Sequence, residues 1–160
     1  MVAACVIALG WSWATPGCQP RTTDRDIEPI SLAELSELIR ARDGGEAQAV
    51  FLLDPRSRTQ FAQGHIPGAV NLLLSDLPVG SLLDPVLDEY DNIVVYGTDP
   101  GSSPGRAMTK RLIALGYDDV RWFDGGLRAW RDAGGEVATL PGATPAADSG
   151  SQAGGQPASP

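Results

Sequence analysis

The sequence predicts one α/β domain built on a parallel sheet with helices on both faces. Three observations carry the prediction. Short apolar runs at 50–54, 93–96 and 120–123 have the length and the β-branched or aromatic content of buried strands. Segments with helical spacing lie between and beside them: Leu32, Leu35, Leu38 and Ile39 fall on one helical face, and Met108, Leu112 and Leu115 on another. The strand at 93–96 stops at a loop rich in Gly, Ser and Pro, which feeds the second of these helices. In α/β proteins such a loop, at the carboxyl end of a strand and against a helix N-terminus, is where sites are kept.

Composition narrows the chemistry. The chain of 160 residues is long enough to bury a core, and its net charge of −8 provides no general basic surface for nucleic acid or acidic lipid. Its two cysteines, Cys5 and Cys18, both precede residue 20, so the body has no thiol. A disulfide framework and a cysteine metal site are therefore excluded there. His65 is the single histidine, which excludes a His-rich site as well. No metal and no cofactor is expected.

Residues 2–14 are apolar but fall short of the roughly 20 residues that span a bilayer, so they read as the core of a signal peptide. Gly17-Cys18 resembles a bacterial lipoprotein cleavage site. That resemblance implies a leader over 1–18, lipidation at Cys18, and an exported protein of the periplasm or cell envelope held to the membrane by its lipid. A plain signal peptide, an uncleaved anchor and a cytosolic chain are the alternatives. Residues 19–26 are polar and read as a tether.

The body spans 27–140. Residues 27–30 suit an edge strand, where Pro29 is tolerated. Ser31 and Glu34 form a capping box for the first helix, which Asp43-Gly44-Gly45 ends. The run at 50–54 reads as a strand buried on both faces. Residues 72–91 carry little pattern; 81–87 suit a helical turn or two with Leu82, Leu83, Val86 and Leu87 inward. A helix is expected over 105–115, closed by a left-handed Gly116. Val120 to Phe123 gives the last strand, and Gly134-Gly135 ends a short helix beyond it. Residues 141–160 lack aromatic and β-branched aliphatic side chains and read as disordered.

Two blocks carry a family resemblance. Asp54-x-Arg56, Phe61 and Gly64-His65-Ile66-Pro67-Gly68-Ala69 form the first; Asp124-Gly125-Gly126 with Trp130 form the second. In this order they resemble the rhodanese family, and the resemblance covers 27–140. It implies a doubly wound sheet of roughly five strands. It also implies that the loop after 93–96 holds the active site. In the active members a cysteine opens that loop, and its thiolate takes the sulfane sulfur of thiosulfate or a related donor as a persulfide. The family strand ends Val-Val-Tyr-Cys; this chain reads Val94-Val95-Tyr96-Gly97. Glycine has no side chain, so no catalytic residue is assigned. The loop is also somewhat longer than the usual sulfurtransferase loop. Rhodanese-like phosphatases need both that cysteine and a later arginine, whose position here, counted from Gly97, is Ser103.

The candidate site is thus a loop without its nucleophile: Gly97, Thr98, Asp99, Pro100, Gly101, Ser102, Ser103 and, in the first helical turn, Arg106. Its backbone amides suit a small anion. Against this, Pro100 and Pro104 remove donors and Asp99 adds negative charge, so a purely structural turn is the other reading. Ser102 and Ser103 lack a base, since the one histidine belongs to the first motif. His65 is expected to tie its loop to the backbone. Asp54 and Arg56 are expected to pair at the strand end, or to shape the mouth of the site. Gly68, Gly125 and Gly126 belong to motif turns. Trp122 and Trp130 are expected in the core, whereas an exposed Trp122 would offer a partner surface. The function expected is a non-catalytic binding or regulatory module, its partner an unknown protein or a small anion. The alternative is a sulfurtransferase-type enzyme working through a partner's thiol or non-standard loop chemistry. If the loop keeps a cradle, Gly97→Cys should create a reactive thiol.

Overall fold

The computed structural model describes residues 22–142 apart from 82, 83 and 85. Its strands are β1 (Glu28–Pro29), β2 (Phe51–Asp54), β3 (Val70–Asn71), β4 (Ile93–Tyr96) and β5 (Val120–Phe123). Its helices are α1 (Leu32–Asp43), α2 (Arg58–Gln63), α3 (Ser103–Leu115) and α4 (Gly126–Asp132). The five strands form one parallel sheet in the order β1-β5-β4-β2-β3.

The apolar runs are continuous because the sheet is covered on both sides, and side chains along a strand alternate between its faces. Leu52, Val94, Tyr96 and Phe123 face one core with Leu35 of α1 and Leu127 and Trp130 of α4. Leu53, Ile93, Val95, Val120 and Trp122 face the other, against Met108 and Leu112 of α3. Leu35 and Leu112 have no exposure. Burying a side chain of that size stabilises the fold by about 1.5–3 kcal/mol.

Pro29 sits on the edge strand, where its missing N–H costs no ladder bond. The opposite edge, β3, and the short helix α2 are not found by periodicity. Neither is long enough to show a repeat, at two and six residues. α1 starts on the expected box: the Ser31 hydroxyl accepts from Glu34 N at 3.2 Å, and Glu34 accepts from Ser31 N at 2.9 Å. α3 begins at Ser103 rather than 105, since Pro104 fits a first helical turn. It ends at Gly116 in the left-handed conformation.

One expectation needs correction. The turn expected over 81–87 lies instead at Leu87–Glu89. Leu87 points inward, but Val86 is 58 % exposed; Leu82 and Leu83 lie outside the described residues. The cause is Asp84, whose carboxylate accepts from Val86 N at 2.9 Å while its own N–H donates to the Tyr117 hydroxyl at 2.5 Å. Such local side-chain bonds favour a turn over a helix. The described residues of the stretch read as a tether lie against α3. Asp24–Asp26 form a 3₁₀ turn, and the Asp24 carboxylate meets Lys110 Nζ of α3 at 2.7 Å and Arg106 at 3.7 Å. The leader with Cys18 and the tail beyond 142 lie outside the described residues. Among those described, no helix is long and apolar enough to cross a membrane.

Candidate functional site

Because every strand runs the same way, the loops after β2, β4 and β5 gather at one edge of the sheet. The loop after β4 begins at Gly97, on the most central strand, and ends where α3 starts.

This loop is closed on itself. The Asp99 carboxylate accepts from Gly101 N at 3.0 Å, and the Asp99 carbonyl accepts from Ser102 N at 3.0 Å. The first turn of α4 then holds it from the side. Leu127 N donates to the Gly97 carbonyl at 2.9 Å, and Arg128 N to that of Thr98 at 3.0 Å. Gly126 allows this approach. It has φ 60° and lies so close to the backbone of residues 97–99 that a β-carbon there would stand 2.7 Å from the Gly97 oxygen.

The space beside Gly97 is filled. A β-carbon built on Gly97 would overlap both Cβ and Oγ of Ser102, and the next atom, the Trp122 ring edge, lies at 3.3 Å. Ser102 holds the N-cap position of α3, yet its side chain makes no capping bond. Trp122 is 3 % exposed and packs against Gly105, so closely that a β-carbon there would overlap its ring. It is a wall beneath the loop and offers no partner surface. The cradle expected for a thiol at 97 is therefore occupied. Sequence named Ser102 as a hydroxyl near the amides, but its place against Gly97 depends on the loop's path and has no sequence signal.

Arg106 is half exposed, with Asp24 at 3.7 Å. Pro100 and Pro104 offer no N–H, and the amides of Gly101 and Ser102 are engaged by Asp99. Thr98 joins the loop to α4 through its carbonyl, and Ser103 starts the helix. With His65 the only histidine, neither serine has an imidazole in the loop to act as base.

Asp54 and Arg56 lie at the end of β2 and are almost wholly inside, at 0 % and 5 % exposure. Arg56 Nε and its terminal NH2 donate to the carboxylate at 2.9 and 2.5 Å, and the same NH2 also donates to the Gly64 carbonyl at 2.7 Å. Asn71 Nδ2 donates to the carbonyls of both Asp54 and Arg56 at 2.8 Å, a support that sequence reading did not identify. The guanidinium lies 5.9 Å from the centroid of the Tyr96 ring, within the range of a cation–π contact. The Tyr96 hydroxyl accepts from Ile66 N at 3.1 Å. Burial, and after it the nearby Asp54 charge, push this phenol well above its ordinary value of 10. It stays neutral and structural.

His65 Nδ1 lies 2.8 Å from the Phe61 carbonyl, and its ring stacks on that of Phe61 at 3.8 Å. Its backbone exchanges hydrogen bonds with Ala138 in both directions. Gly68 takes φ 79° against the Arg42 side chain, and Gly125 sits close to Phe123 and Ala129. Trp130 is buried, with its indole N–H donating to the Glu136 carbonyl at 2.6 Å. Among the described residues, no group of three or more His, Cys, Asp or Glu is placed to hold a metal ion.

Comparison with known proteins returns a family. The sequence profile described as "Rhodanese-like domain" matches residues 34–133. A putative thiosulfate sulfurtransferase, SseB, of Mycobacterium tuberculosis is 34 % identical over 131 residues, covering 69 % of this chain and 46 % of that protein. The chain thus spans about half of that relative's length. The human thiosulfate:glutathione sulfurtransferase is 31 % identical over 111 residues, covering 63 % of this chain and 90 % of its own. The solution structure of a rhodanese-like domain from an Anabaena species superposes with a TM-score of 0.50 at 26 % identity, covering 78 % of this chain and 86 % of the other.

Proposed function

The chain belongs to the rhodanese-like family, and from that premise we propose that it is a member without the family's thiol chemistry, acting by binding. The observation that carries this reading is the filled space beside Gly97, where the Ser102 side chain lies in place of a side chain on residue 97. A persulfide needs a thiolate at the strand end, and the body holds no cysteine. The anion-binding version of the reading is the weaker one. Two loop amides are engaged by Asp99, two positions are proline, and the Asp99 carboxylate adds a negative charge that disfavours an anion there. A protein partner is the version we favour.

Relatives named as sulfurtransferases motivate a second reading, an enzyme that borrows a partner's thiol or uses non-standard loop chemistry. A thiosulfate:cyanide assay on the purified full chain separates the two. No turnover above the buffer blank is expected; turnover that survives extensive purification would overturn the binding reading.

We place this module outside the cytoplasm, held by a lipid on Cys18. The support is the apolar stretch at 2–14 followed by Gly17-Cys18. Mass spectrometry of the mature N-terminus is expected to find diacylglyceryl-modified Cys18. An unmodified Met1 would rule the anchor out.

A further inference from the structure

We infer that residues 97 and 102 are a mutually exclusive pair, so that Ser102 is a built-in plug of the loop and Gly97 is the glycine it requires. The steric part of this inference stands on geometry alone; only its bearing on thiol chemistry rests on the reading above.

Three observations converge. A β-carbon on Gly97 would overlap Ser102 Cβ as well as Oγ, so rotating the serine side chain does not clear the space. Cβ is fixed to the backbone, and relief would need the loop itself to move. With the Ser102 side chain removed, the next atom is the Trp122 ring edge at 3.3 Å, a contact that a slight ring shift accommodates. The overlaps with that β-carbon thus come from one side chain. The loop's path in turn leaves Ser102 little freedom, because its N–H donates to the Asp99 carbonyl at 3.0 Å. α4 also holds the carbonyls of Gly97 and Thr98. Lastly, serine at an N-cap ordinarily bonds a helix amide, and this one does not. Its side chain fills space instead.

The consequence is that the two positions must change together. Restoring a cysteine at 97 by itself places a side chain on an occupied site. Opening the cradle takes a second substitution, Ser102→Gly. A glycine replacing a serine N-cap costs only a few tenths of a kcal/mol in general, and here the cap bond is already absent.

The test is a double-mutant cycle on the full chain: Gly97→Cys, Ser102→Gly and the two combined. Melting temperature is read first. Gly97→Cys is expected to lower it by roughly 5 °C or more, as overpacking does. Ser102→Gly should leave it within about 2 °C of the parent. The combined variant should recover most of the loss, so that the shifts fail to add. Reactivity is read second, as the rate at which iodoacetamide alkylates residue 97, followed by mass spectrometry of its peptide. The combined variant is expected to react at least about tenfold faster than Gly97→Cys alone, because its thiol is no longer crowded by the Ser102 side chain.

Melting shifts that simply add would overturn the pairing, whatever the reactivity. If Gly97→Cys does not fold, the combined variant decides the matter: its folding supports the pairing, and its failure to fold overturns it. The functional reading fails separately, through thiosulfate turnover by the parent chain, which would leave the coupling between 97 and 102 untouched.

Discussion

Arg56 shows how one residue can tie the end of a strand to a distant segment. It brings a full charge inside the protein and meets a carboxylate and a carbonyl there, with the Tyr96 ring alongside. A buried ion pair is weak evidence for net stability, but removing one partner leaves the other charged and alone. Arg56→Leu is therefore expected to destabilise the fold by about 3–5 kcal/mol in urea denaturation. The exposed pair of Arg58 and Asp76, 3.8 Å apart, serves as contrast, and Arg58→Ala should cost under about 1 kcal/mol. Comparable losses in the two variants would mean that Arg56 is not held as described. The pairing itself was legible, since Asp54-x-Arg56 follows a strand that ends in an acid. The bond to Gly64 and the brace from Asn71 were not, because they join segments whose meeting depends on the fold.

Helices α1 and α2 begin on short-range side-chain bonds, and α1 shows the logic. The Ser31 hydroxyl, and then its N–H, hold the Glu34 carboxyl below its ordinary value of 4.5. A carboxylate with a lowered value contributes stability above its unfolded value and loses it as the pH falls through the folded one. Ser31→Ala should lower the melting temperature at neutral pH by roughly 4 °C, as one lost N-cap does in a domain of this size. The gap between parent and variant should narrow as the pH falls below 4.5. A gap of constant width down to about pH 3 would show that the box does not act through the ionised Glu34. This element was readable because its signal is local, a serine and a glutamate three positions apart. Helix α3 was readable for the same reason in its apolar stripe, though not in its first residues, where proline belongs to both loop and helix. The stretch around Asp84 resisted, since a carboxylate turn and a tyrosine from a distant segment decide its path.

Across the whole molecule, the sequence announces layers better than edges. The central strands advertise themselves as apolar runs because both faces are covered, and Pro29 marks β1 as an edge, while β3 is too short to carry a pattern of its own. Periodicity does not give the count of five strands; the family resemblance implies it. The same division holds at the site. That Gly97 lacks a side chain can be read directly, whereas the serine lying beside it belongs to three dimensions. The strand order has a further consequence for how the protein is made. Among the described strands β1 is synthesised before the other four and pairs with β5, synthesised after them, joining Glu28 to Arg121, and the His65 loop meets Ala138 later still. Translation therefore delivers both ends of these contacts far apart in time. Non-local pairings of this kind slow folding, and β1 must wait unpaired until β5 has emerged.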